Sequence, residues 1–141
     1  MNEFVLDNSV AMRWVLATNK KSDQSYAEET LKSLESSDAL VPNLWHLEAA
    51  NVLCSAVKNE ILSDSEVDQF LSKLEMLPVR VDPLTSSKAF SRTLALAKRY
   101  GLSSYNACYL ELAVREGIPL ATLDRDLIKA AKKAGVERYE L

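Results

Sequence analysis

Four short stretches carry the side chains from which chemistry could be built. They are FVLDNSVAMRW (4–14) with Asp7, PNLWHLEAANVL (42–53) with Glu48, LSSYNACYLELA (102–113) with Asn106, and PLATLDRDL (119–127) with Asp124 and Asp126. Asp7 follows three apolar residues that read as a buried strand and precedes a helical pattern, which places its carboxylate at a sheet rim. In open parallel α/β sheets the rim at the carboxyl ends of the strands is where ligands bind. Asp124 repeats the arrangement of apolar strand, acid and helix. It reads equally as the N-cap of the helix it opens, and Asp126 as a first-turn acid on that helix dipole. Glu48 has Leu44, Trp45 and Val52 as helical neighbours, so it lies on an apolar stripe. A buried carboxylate needs a partner, a proton or a metal. No Arg shares that stripe, so a metal or a solvated pocket accounts for Glu48; a head reaching water at the helix flank is the alternative. Asn106 points along the apolar side of its helix or caps its N-terminus. Asp82 reads as a strand end before Pro83.

The elements that must position these groups alternate along the chain. The pattern predicts a strand at 4–6, a helix over 8–18, a helix over 23–36 with Tyr26, Ala27, Thr30, Leu31 and Leu34 inward, and a strand ALVP. A helix from Asn43 to Lys58 follows, then one opened by SDSE (63–66) and ended before Pro78. VRVD (79–82) alternates like a strand. PLTSSKAFSRTLALAKRYG predicts a helix closed by Gly101, Ser103 or Ser104 opens the next as far as Gly117, and PLATL predicts a strand. Asp124 begins a basic helix ending at Gly135, and VERYEL is expected to add an edge strand. Such alternation implies α/β architecture: a parallel sheet covered by helices on both faces.

Totals narrow the field. With 141 residues and 48% apolar content, one domain spanning 1–141 with a single core is expected. A net charge of −3 argues against a wholly basic nucleic-acid coat, though not against a local basic patch. Cys54 and Cys108 each sit in an apolar helical run and are expected as buried, reduced thiols. No leader-like segment and no run near the ~20 apolar residues of a membrane span is visible, so a soluble cytoplasmic protein is the expectation. His46 is the only histidine; beside Trp45 it reads as a packed or half-exposed helix residue rather than a catalyst.

Taken in order and at these separations, the four stretches resemble the PIN-domain ribonucleases, and more narrowly the VapC toxins of bacterial toxin–antitoxin pairs. The resemblance covers essentially the whole chain, including LPVRVDPLT. It implies a three-layer α/β/α sandwich with a central parallel sheet and Mg²⁺- or Mn²⁺-dependent endonucleolytic cleavage of RNA. Carried over residue by residue, it assigns the first acid to Asp7, the second to Glu48 and the fourth to Asp124, with Ser9 as the hydroxyl supporting the pocket. The third position, usually Asp, is Asn106. An Asn can offer its carbonyl oxygen to an ion but no charge, and a facing unit charge at ~4 Å is worth about 4 kcal/mol at an effective dielectric near 20. Two explanations stand open: a natural divergent member, or an inactivating Asp-to-Asn change.

The resemblance further implies a homodimer held by a VapB-type antitoxin, whose C-terminal segment would lie in a groove built from the helices carrying Trp14, Tyr26, Leu31, Trp45 and Val52, although core packing is the stronger reading for most of these side chains. RNA phosphates would need basic side chains. Arg13 and Arg125, nearest the acids in sequence, lead Lys20, Lys21, Lys129, Lys132 and Lys133. Two rivals remain. A non-catalytic module of the same fold would bind antitoxin or RNA without cutting. A phosphoacceptor receiver domain would want paired acids after its first strand, where this chain has one.

Overall fold

Phe4, Val5 and Leu6 are wholly shielded from solvent, as a strand buried on both faces must be. They belong to β1 (Asn2–Leu6), which the computed structural model, describing residues 2–141, places inside a four-stranded sheet. The other strands are β2 (Ser37–Val41), β3 (Val79–Val81) and β4 (Leu120–Ala121), in the spatial order β3-β2-β1-β4. Every pairing is parallel, with Val5 beside Leu40 on one side and Leu120 on the other.

Helices fill the crossovers: α1 (Asn8–Ala11), α2 (Lys21–Ser33), α3 (Trp45–Lys58), α4 (Asp64–Leu74), α5 (Thr85–Lys88), α6 (Leu94–Tyr100), α7 (Ser104–Glu116) and α8 (Arg125–Lys133). The connections β1 to β2 and β2 to β3 step one way, and the connection to β4 returns past β1. Right-handed crossovers in opposite directions put their helices on opposite faces. The result is a three-layer α/β/α sandwich. On one side α7 packs on β1 and β4 with α6 and α8 against it, and Ala107 through Ala113 are all buried. On the other, α3 buries Trp45, Ala49, Leu53 and Ala56, a single face at helical spacing.

Local signals explain most boundaries. Ser63 and Glu66 form a reciprocal capping box at the start of α4. Gly101 and Gly117 end α6 and α7 with φ of 65° and 66°, a left-handed conformation that a Cβ disfavours.

Several expectations fail for physical reasons. The helix expected over 8–18 stops with a 3-10 turn at Met12–Trp14, where Trp14 Nε1 donates to Ala27 O at 2.7 Å and fixes the chain against α2. The single helix expected after Pro83 is broken by a π turn at Ala89–Thr93, which leaves Phe90 94% exposed. PLATL yields only a two-residue strand, and VERYEL contributes one parallel bridge, Arg138 to Leu120, rather than a strand. Cys108 is buried but Cys54 is exposed, on the outer side of α3; both are free thiols. Trp45 and Tyr26 are core residues, as the core-packing reading expected.

Candidate functional site

The order β3-β2-β1-β4 reverses direction at β1 and β4. The crevice beyond the carboxyl ends of those two strands is the topological switch point of the sheet, the usual ligand position in this architecture. Asp7 leaves β1 there, and Thr122, Leu123 and Asp124 leave β4 there.

A mesh of hydrogen bonds ties the two strand ends together. Asp7 N–H donates to Ala121 O at 2.9 Å. Asp7 Oδ2 accepts from Ser9 Oγ at 2.6 Å and from Thr122 Oγ1 at 2.7 Å. The Leu123 N–H donates to Ser9 Oγ and the Asp124 N–H to Thr122 Oγ1, both at 3.0 Å. Asp124 Oδ1 in turn caps α8 by accepting from the Leu127 N–H at 2.9 Å, so its capping and site roles coexist.

Asp7 is only 4% exposed. Burial pushes its pKa up, the Ser9 and Thr122 hydroxyls oppose that, and the charge of Asp124 adds to the rise. Glu48, half-buried in the first turn of α3, is also pushed up, first by burial and further by Asp7, while the Tyr109 hydroxyl opposes. That hydroxyl donates a short hydrogen bond to Glu48 Oε1 across the layers, from α7 to α3. Burial and then the charges of Asp7 and Glu48 hold the Tyr109 phenol well above its usual range, and burial does the same to the Cys108 thiol beside it.

Asp7 is therefore within electrostatic reach of two other acids expected from sequence: it feels Asp124, and Glu48 feels it. Asn106 is half-buried in the first turn of α7, its backbone N–H capped by Ser103 Oγ at 3.1 Å. It lies three residues before Tyr109 and so on the same helix face as Glu48's hydrogen-bond donor. Asp126 is exposed in the first turn of α8, apart from the mesh. His46 is exposed and edge-on to Trp45. Arg13 is half-buried in a small cavity beside Ser9, and Arg125 is exposed at the start of α8.

Thr122 and Tyr109 were not singled out by sequence. A polar residue inside the apolar PLATL run is the signal that could have found Thr122. Tyr109 carries no signal of its own in a uniformly buried helix.

Among the described residues, no Lys or Arg lies within 4.0 Å of the Asp7, Glu48 or Asp124 carboxylates. Nor do three His, Cys, Asp or Glu side chains gather closely enough to enclose an ion unaided. Carboxylates that raise one another's pKa, with hydroxyls but no cation for partners, suit a divalent ion that keeps much of its water. Mg²⁺ is commonly held that way, through one or two carboxylates.

A family model described as the PIN domain matches residues 4–133. Among solved structures, PAE2754 from Pyrobaculum aerophilum aligns with a TM-score of 0.67 at 24% identity, covering 97% of this chain and 83% of its own. VapBC2 from Rickettsia felis, bound to a DNA fragment from its promoter, aligns at 0.64 and 15% identity over 99% of this chain and 98% of that one. A toxin–antitoxin complex from Klebsiella pneumoniae aligns at 0.61 and 19% identity over 98% and 99%. At such identities the likeness is one of fold. No curated protein matches the sequence. No helix among the described residues is long and apolar enough to cross a membrane.

Proposed function

The chain belongs to the PIN-domain family, and on that premise we propose that it is a single-domain, Mg²⁺- or Mn²⁺-dependent endoribonuclease. We read it as the cytoplasmic toxin of a toxin–antitoxin pair, in the VapC manner. The observation that carries the activity is the placement of Asp7 and Asp124 at neighbouring strand ends tied together by hydrogen bonds, with Glu48 held by Tyr109 and, among the described residues, no Lys or Arg within 4.0 Å of the three carboxylates. The assemblies described for the Rickettsia felis and Klebsiella pneumoniae neighbours support an antitoxin partner. A homodimer is part of the same reading.

Asp7, Asp124 and Glu48 would hold the ion or its waters, with Asn106 offering its carbonyl oxygen. When bound, such an ion polarises a phosphodiester oxygen and lowers the pKa of water. Ser9 and Thr122 orient Asp7 through one oxygen and keep it from turning away. Tyr109 engages Oε1 of Glu48. Oε2 is then the atom we assign to take the proton of the attacking water, and burial raises the basicity that role needs. Asp126 supports the first turn of α8, and Arg13 and Arg125 grip phosphates on either side of the acids.

The test is cleavage of structured RNA in Mn²⁺ by this chain beside Asn106→Asp. The extra carboxylate is expected to raise the rate at least tenfold. An unchanged rate removes Asn106 from the site. Absence of cleavage by both forms favours the second reading, a non-catalytic PIN-fold module, whose specific support is Asn106 itself. For the antitoxin, a peptide with one Arg is expected to compete with Mn²⁺, and independent binding of the two would count against it.

A further inference from the structure

A cavity of about 300 Å³ opens beside the acids, walled by Asn8, Ser9, Met12, Arg13, Thr18, Asp23, Val52 and Leu123. It lies at the small end of the range for ligand pockets. Two of its walls, Ser9 and Leu123, are joined by the hydrogen bond that closes the strand ends over Asp7. Its occupant is therefore a near neighbour of the reacting phosphodiester, a placement that rests on the nuclease reading above.

The lining divides by chemistry. Met12, Val52 and Leu123 supply apolar surface. Arg13 is half-buried, and its guanidinium has, among the described residues, no carboxylate within 4.0 Å. The other half-buried arginine, Arg115, is gripped by Asp82 and Glu111 at 2.8–3.1 Å. An arginine without a counter-charge favours an anion, and phosphate matches the fork of its guanidinium. Asp23 contributes acceptors only. Lys20 Nζ stands 3.9 Å from its Oδ1, beyond hydrogen-bond reach, which leaves those lone pairs available. A carboxylate repels phosphate, so the group facing Asp23 must bring N–H donors. Asn8 Oδ1 lies buried in the same wall without a hydrogen-bond partner.

We propose that this cavity is a nucleotide subsite for the residue flanking the scissile bond: Arg13 takes its phosphate, the apolar wall takes the face of its base, and Asp23 accepts from the base edge. The base that satisfies a carboxylate best is guanine, whose N1–H and N2 amino group present two adjacent donors. Uracil offers one N–H flanked by two carbonyls, and those face the carboxylate unfavourably.

Amide chemical-shift titration of the metal-free chain with 5′-GMP and with 5′-UMP tests this without reference to cleavage. GMP is expected to shift the amides of Ser9, Met12, Arg13 and Asp23 and to bind at least fivefold more tightly than UMP. Asp23→Asn should bring the two to within twofold, and Arg13→Ala should weaken both by about the same factor. Equal binding of the two nucleotides by the unmodified chain, or shifts confined to residues outside the cavity, overturns the proposal. A chain that binds GMP here yet cuts no RNA keeps the subsite and loses the nuclease reading. One that cuts RNA without any GMP preference does the reverse.

Discussion

Asp82 and Glu111 are as buried as Asp7, yet they surround Arg115, only 12% exposed, which makes a two-pronged contact with each. That cation answers the carboxylates from within the chain, and its own pKa is raised by Asp82 first and then Glu111. Asp7 and Glu48 have hydroxyl donors, and Asp124 accepts from the Leu127 N–H. One group of acids shares a cation supplied by the fold, and the other, among the described residues, has none within 4.0 Å. Position in the sheet separates them too: Asp7 and Asp124 lie at the switch point between β1 and β4, whereas Asp82 follows the edge strand β3.

The widest divergence should come from removing one member of each group. Arg115→Ala leaves two buried carboxylates unpaired and is expected to cost about 3–5 kcal/mol, read as a lower urea midpoint. Asp7→Asn, in metal-free buffer, should leave the midpoint unchanged or raise it. A loss as large as that of Arg115→Ala would mean that Asp7 is compensated after all.

Adding ion should tell the groups apart next. Mg²⁺ or Mn²⁺ at a hundred times its dissociation constant stabilises a binding fold by about 2.7 kcal/mol. The unmodified chain should gain that in thermal unfolding and Asp7→Asn should not. Asp82→Asn, once corrected for its own lower baseline, should still respond.

Tyr109→Phe removes a single donor to Glu48 and is expected to cost about 1 kcal/mol, together with several-fold weaker Mn²⁺ binding by electron spin resonance. Unchanged Mn²⁺ affinity would make Tyr109 a packing residue only.

The smallest effect is read by sign. Burial raises the pKa of Asp7 and Glu48 in the folded state. Above the ordinary carboxylate range the folded chain thus still holds protons that the unfolded chain has released. Stability of the metal-free protein should therefore fall as pH rises through that window and on to the raised folded values. Asp7→Asn should flatten the slope, and saturating Mg²⁺ should reverse it. A metal-free slope that rises over the same window would contradict the burial argument.

The sequence made the strand ends and helix caps legible because those signals are local. FVL before Asp7, the SDSE box, and glycines after α6 and α7 each act within a few residues. The acids at 7, 48 and 124 stood out because each breaks an apolar pattern. What stayed hidden is chemistry between residues distant in the chain. Asp82 meets Arg115 across 33 positions and Glu48 meets Tyr109 across 61; no periodicity encodes either contact. The π turn at Ala89–Thr93 was likewise silent, since one added residue in a helix leaves the composition unaltered. Cys54 shares its apolar run with Leu53 and Ala56, which are buried, yet is itself exposed, because composition does not report what packs over a helix.

The final residues beside β4 have a bearing of their own. Leu120 donates to Glu137 O and accepts from the Tyr139 N–H, Tyr139 stacks on Phe4 with ring centres 3.9 Å apart, and Tyr26 Oη donates to Tyr139 O. A two-residue strand at the margin of a parallel sheet would otherwise present unpaired backbone to any passing extended chain. Here the tail occupies that margin as a fastened hem, and at the opposite margin β3, three residues long, gives a foreign strand little to grip. Self-templated aggregation is thereby discouraged at both borders.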